Sequence, residues 1–296
     1  MQEVPSKFKV WILASRPKTL WAAVAPVIIG TAMAYGDGHV HWPAALIALF
    51  GSVMIQIGTN LANDYFDFHK GADTAERTGP TRVTQSGLIA PRTILLAFIF
   101  VFSLAFFSGM YLVWRGGWPI LILGLLSILF GILYTGGPFP LSYLGLGDLF
   151  VVIFFGPVAV GGTYYVQTLQ MNWTVLLAGL SPGLISTSIL VANNLRDIST
   201  DLKAGKRTLA VRFGARFSQI QYSFQLISAA LIPSGIFMIT HQHPYSIAAA
   251  VIILFSIPTL HTIFFKNDGM ALNRALADTG KLLLLYSLIF SIGWIF

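Results

Sequence analysis

The chain has 296 residues, of which 55% are hydrophobic and only 10% charged, with a formal net charge of +7 and no cysteine. Soluble domains carry about 25% charged residues, so these side chains lack the polar surface to cover a water-soluble globule. The missing thiols exclude disulfides and thiolate chemistry, and basic residues gathered in short segments exclude the continuous stripe that nucleic acid needs.

Taken in chain order, residues 1–18 are polar and basic, lack a small-residue cleavage site, and read as a retained cytoplasmic arm. Apolar stretches follow at Thr19–Gly36 and Pro43–Ala62, close to the roughly 20 residues that cross a bilayer core. A polar loop is expected over 63–92, and around its start stand Asn60, Asn63, Asp64, Asp67, His69, Lys70 and Asp73. Thr93–Trp114 and Trp118–Tyr134 come next, then an uncharged segment rich in Gly and Pro that ends at Asp148. Gly147–Val166 and Thr174–Ala192 lead to a second polar loop, expected over 193–217, which opens with Asn193, Arg196, Asp197, Asp201, Lys203, Lys206 and Arg207. Gln219–Thr240, Tyr245–Phe265 and Leu282–Phe296 complete the series, the last borrowing part of Ala275–Lys281 to cross.

These stretches predict an all-α membrane protein, one domain over 1–296, built as a bundle of nine transmembrane helices. With the N-terminus inside and the C-terminus outside, only Arg115 of the 18 Lys and Arg residues faces outward, as cytoplasmic segments collect positive charge. Outer connections are short, while the two long inner ones hold most of the charge, which concentrates function on that side.

The two acidic segments share a spacing. Asn60 precedes Asp64 by four residues and Asn193 precedes Asp197 by four, and a second carboxylate follows at Asp67 and at Asp201. On a helix these positions share one face. Paired carboxylates are unfavourable unless a cation lies between them, and Mg²⁺ takes one or two carboxylates together with waters and phosphate oxygens. Lys70, Arg77, Arg82, Lys203, Lys206 and Arg207 are the cations available to a departing diphosphate. Either cluster alone also reads as ordinary helix-end residues; their similarity on one membrane face points to a metal–diphosphate site. Arg16 and Lys18, before the first span, read first as topology anchors, with a place beside the site as the alternative. Asp148 either orients an acceptor or caps a helix, and His69 reads as a residue behind the first cluster. The four outer-face His residues, His39, His41, His241 and His243, read as interfacial.

At these clusters the sequence resembles the UbiA superfamily of intramembrane aromatic prenyltransferases. The residues that carry the resemblance are Arg16 to Leu20; Asn60, Asn63, Asp64 and Asp67; Gly79, Arg82, Gln85 and Gly87; Tyr134; Gly145 to Asp148; and Asn193, Asp197, Asp201, Gly205 and Thr208. The resemblance runs from Arg16 to about Gly214, with Asn60, Asn193 and the Gly145–Asp148 stretch favouring a naphthoate-accepting branch. It implies helices around a central cavity that opens sideways to lipid, in a bacterial inner membrane with the site facing the cytoplasm. It implies Mg²⁺ on Asp64, Asp67, Asp197 and Asp201, with Asp73 as a further ligand, direct or through water, because Gly71 stands where many relatives have an acid. Lys70, Arg82, Lys206, Asn60 and Asn193 would bind the diphosphate, with Arg16, Tyr134 and Asp148 as acceptor-side candidates. The implied substrates are a polyprenyl diphosphate drawn from the lipid bilayer and 1,4-dihydroxy-2-naphthoate. The alternatives are another acceptor, such as 4-hydroxybenzoate, homogentisate or a tetrapyrrole, or a secondary transporter of an anionic metabolite. Transporters place their charges nearer the midplane, which argues against the last.

Overall fold

In the computed structural model, residues 6–72, 79, 81–266 and 268–296 are described, and they form helices and loops with no strand among them. Helix α1 (Lys7–Ser15) is capped by the Ser6 hydroxyl, which accepts from the Lys9 amide. It ends before Pro17, because the pyrrolidine ring disfavours a right-handed helical conformation in the residue before it. Arg16 accordingly adopts φ 51°, Pro17–Thr19 make a 3₁₀ turn, and α2 (Trp21–Gly36) departs at a bend of 54°.

Helix α3 (Trp42–His69) starts on His41, whose imidazole accepts from the Ala44 amide, with Pro43 in its first turn. Its 28 residues span about 42 Å at 1.5 Å per residue, more than the roughly 30 Å of a bilayer core. The helix is therefore longer than the core that it crosses. Residues 63–69, expected in a loop, are helical: no Gly or Pro interrupts them until Gly71, which takes φ 63°. Helices α4 (Pro91–Gly116) and α5 (Trp118–Leu133) turn about Gly117.

The next span is broken. Helix α6 (Gly147–Ile153) passes through a π turn at Phe154–Val158 into α7 (Ala159–Thr168), with Gly156 outside helical geometry and Pro157 lacking a donor. Helix α8 (Trp173–Arg196) packs into this break through Gly179 and Gly183. A Cβ on Gly179 would lie 2.8 Å from Pro157 Cα, and one on Gly156 2.7 Å from the Gly179 carbonyl oxygen, so only hydrogen fits between the two backbones. Of the apolar window of α8, 72% is buried, against 22% for α4, which makes α8 a central helix and α4 a lipid-facing one. The second expected loop, 193–217, is also mostly helical. It contains the end of α8, then α9 (Ile198–Lys203) and the start of α10 (Leu209–Thr240), which kinks at Gly214. A 3₁₀ segment (Pro244–Val251), α11 (Ile252–Phe265) and α12 (Gly269–Ile295) end the chain.

Every apolar stretch read from the sequence falls on helix. Seven spans are long and apolar enough to cross a membrane, the bent α1–α2 pair adds one more, and α5 is a shorter apolar helix. The chain is an integral multi-pass membrane protein. Ile29, Ile185, Tyr222, Leu226, Leu283 and Phe290 form one buried core, among α2, α8, α10 and α12. Leu61, Ile94, Phe98 and Phe102, with Val10, form a second core among α1, α3 and α4. A cavity of about 410 Å³ is lined by residues of α2 through α9, with Leu276 of α12.

Candidate active site

The cavity has an apolar wall and a polar end. From α3, Asn60, Asn63 and Asp67 reach it, and from α8 and α9 come Asn193, Asn194, Asp197 and Asp201. The two acidic segments thus face one space, and a direct contact joins them: Lys206, just past α9, lies 3.1 Å from Asp67 Oδ1. Arg82 reaches Asp67 Oδ2 at 3.2 Å, and the Tyr143 hydroxyl donates to Oδ1 at 3.4 Å. The side chains of Lys70 and Lys206 both lie over the Tyr143 ring, at 4.7 and 5.2 Å from its centre, within cation–π range.

Asp64, one turn before Asp67, is 2% exposed. Its Oδ2 accepts from the Thr84 backbone at 3.3 Å, while Oδ1 is buried without a hydrogen-bond partner. On the facing side, Arg196 Nε meets Asp197 Oδ1 at 2.8 Å and Nη2 meets Oδ2 at 2.5 Å. The same guanidinium bonds Asn193 Oδ1 at 2.8 Å and Asn273 of α12. One buried cation therefore orients two residues of the second cluster and ties them to the last helix.

The other expected residues divide between the cavity wall and its surroundings. Asn60 donates to the Ser15 carbonyl and to Thr19, at 2.9 and 3.1 Å, which holds α3 against the α1–α2 bend. Arg16 lines the cavity and reaches the Asn60 carbonyl at 3.4 Å. Tyr134 also lines it. Lys70 turns its ammonium onto the Thr135 carbonyl at 2.7 Å; burial pushes its pKa down, opposed by Asp67 and reinforced by Lys206. The Asp148 carboxylate accepts from Gln221 of α10 at 2.7 Å, tying α6 to that helix, and from its own backbone amide in the first turn of α6. His69 is exposed and bonds the carbonyl of Tyr65 one turn back. Asp73 and Arg77 lie outside the described residues. Sequence reasoning passed over Arg196, Tyr143 and Asn194, though the first and last stand inside the second acidic motif.

Among the described residues, no three His, Asp or Glu side chains converge as a ready-made metal cage. The donors nonetheless fit Mg²⁺. They are carboxylate and amide oxygens, one buried carboxylate oxygen has no partner, and this ion completes its shell with water and phosphate rather than with protein alone.

Fold and site together define a polytopic helical membrane protein whose apolar chamber is closed at one end by facing acids and cations. A family model described as the UbiA prenyltransferase family matches residues 23–288, and the chain belongs to that family. It is 37% identical over 283 residues to the 1,4-dihydroxy-2-naphthoate octaprenyltransferase of Mycobacterium tuberculosis, with 96% of each chain covered. To the Escherichia coli protein of the same name it is 36% identical over 299 residues, covering 97% of this chain and 96% of the other. In fold it is similar to a UbiA homolog from Archaeoglobus fulgidus solved with GPP and Mg²⁺, with TM-score 0.67, 14% identity, and 97% and 99% of the two chains covered.

Proposed function

We propose that the chain transfers a polyprenyl group from polyprenyl diphosphate to 1,4-dihydroxy-2-naphthoate, with loss of the carboxyl group, giving demethylmenaquinol in menaquinone biosynthesis. One observation carries the reading: Asp67 and Lys206, from the two acidic segments, meet at the polar end of an apolar-walled cavity. Relatives of the naphthoate-prenylating kind, similar over nearly their whole length, supply the acceptor.

In this reading Asp64, Asp67, Asp197 and Asp201 hold Mg²⁺, and Asn193 keeps Asp197 in place. The ion, when bound, withdraws charge from the diphosphate so that the allylic C–O bond weakens. Arg82 and Lys206 stand against Asp67 and shift onto the phosphate oxygens as negative charge grows there. Lys70, held on backbone carbonyls, contributes field rather than contact. The C–O bond breaks with its electron pair going to the diphosphate, and the electron-rich naphthoate ring attacks the allylic carbon. The carboxylated ring carbon gains the prenyl group and loses CO₂, which restores aromaticity. The apolar walls hold the prenyl tail and keep water from the allylic cation.

The same reading makes the seven long spans, the α1–α2 pair and α5 nine crossings in all. The basic residues then put the polar mouth on the cytoplasmic side of a bacterial inner membrane. The test is purified protein in detergent with a polyprenyl diphosphate, Mg²⁺ and a panel of aromatic acids, with and without chelator. Carboxyl-labelled naphthoate should release its label as CO₂ in step with product, and chelator should stop turnover. A prenylated product that retains the carboxylate rules this acceptor chemistry out.

A further inference from the structure

Four asparagines stand at the polar end of the cavity, and three are committed to the protein. Asn60 bonds Ser15 and Thr19, Asn63 accepts from Thr135 at 2.8 Å, and Asn193 accepts from Arg196. Asn194 differs. It is 7% exposed and lines the cavity, and no side-chain hydrogen bond is found for it among the described residues. An amide offers two donors and an acceptor, and those of Asn194 are open to the cavity, where what enters it can bond them.

Its position shows what that something meets. Ser186, Leu190, Asn193 and Asp197 also line the cavity from α8, at spacings that share one helix face. Asn194 lies one turn beyond Leu190 on that face. Leu190 in turn stands beside Tyr134: a Cβ built on Gly147 would be 3.5 Å from Leu190 Cδ2 and 3.1 Å from Tyr134 Oη. Ser186, one turn further along the face, keeps its hydroxyl buried without a partner. Short of Asp197 and its partner Arg196, this wall carries uncharged hydrogen-bonding groups. The cations Arg82 and Lys206 gather instead on Asp67, on the α3 side.

We infer that Asn194 is a substrate-contacting residue for the acceptor, binding an aromatic ring that bears a hydroxyl next to a carboxylate; this rests on the function proposed above. Asn194 Nδ2 donates to the carboxylate and Oδ1 accepts from the neighbouring hydroxyl. A neutral amide suits a carboxylate that must leave as CO₂. A cation there would stabilise the ground state more than the transition state, in which that charge disperses into the ring.

The test compares Asn194→Leu, Asn194→Asp and Asn194→Gln with the wild type in steady-state kinetics and thermal unfolding. For Asn194→Leu the KM for naphthoate should rise about tenfold or more, the loss expected of one hydrogen bond to a charged group. The KM for prenyl diphosphate and the Mg²⁺ activation curve should stay within about twofold, and unfolding should not move to lower temperature, because no bond within the protein is lost. Asn194→Asp should be worse with naphthoate yet gain relative preference for the uncharged 1,4-naphthalenediol, and Asn194→Gln should recover part of the loss. An unchanged naphthoate KM in Asn194→Leu and Asn194→Asp overturns the inference. So does an equal rise in the KM for prenyl diphosphate, or a lowered unfolding temperature in Asn194→Leu, which marks a structural role. If the wild type uses a different aromatic acid, the acceptor proposed above fails by itself, and the same KM comparison with that acid decides the role of Asn194.

Discussion

Arg196 offers the sharpest energetic test of how the site is built. Its side chain is 0% exposed and that of its partner Asp197 4%, so Arg196→Met removes a buried charge partner from a carboxylate that Asn193 reaches only at 3.5 Å. Removing one member of a buried pair costs about 3–5 kcal/mol. At about 2–4 °C per kcal/mol for larger chains, the apparent unfolding temperature should fall by on the order of 10 °C. The charge itself is the cause, so Arg196→Met combined with Asp197→Asn should recover much of the loss, whereas independent contributions would add. The assay is thermal unfolding of purified protein in one detergent at one scan rate, since unfolding from micelles is read as a rate-dependent midpoint. Turnover is measured in parallel and should vanish in both variants, because Asp197 no longer faces the cavity in its charged, oriented form. A single variant that unfolds within about 2 °C of the wild type would show that the pair contributes nothing to the fold. A double variant worse than the single would show that charge stranding is the wrong cause.

Two further outcomes follow from the same geometry. Asp64→Asn keeps an oxygen for the Thr84 amide and changes only the oxygen that lacks a partner. It should unfold like the wild type while turnover falls below about 1% of the wild-type rate, as befits loss of a group that stabilises developing charge; a normal rate takes Asp64 out of the mechanism. Gly124 lines the cavity on α5, and a Cβ there would meet nothing within 4 Å. Gly124→Leu should therefore be tolerated and shift the preferred donor toward shorter prenyl chains, read from relative kcat/KM across a chain-length series; an unchanged series separates that wall from the tail.

Hydropathy and residue spacing are local properties, and what depends on them was legible in the sequence. The apolar stretches all fall on helix, and Asn60, Asp64 and Asp67 share one face of α3 because a helical period orders them without help from the rest of the chain. The ends of the acidic segments were harder to read. Polar residues look like loop, yet α3 continues to His69, since helical hydrogen bonding persists until a residue such as Gly71 stops it.

Partner choice belongs to the tertiary structure. Asp67 meets Lys206 across 139 residues of sequence, Asp148 spends its charge on Gln221, and Lys70 rests on a backbone carbonyl. Neighbouring Asn193 and Asn194 are chemically identical and both line the cavity, yet only the first is held by Arg196. Local spacing puts Asn193 within reach of Arg196 three residues further on, but successive helical residues point about 100° apart, and only the packing of α8 against its neighbours decides that both asparagines look into the chamber.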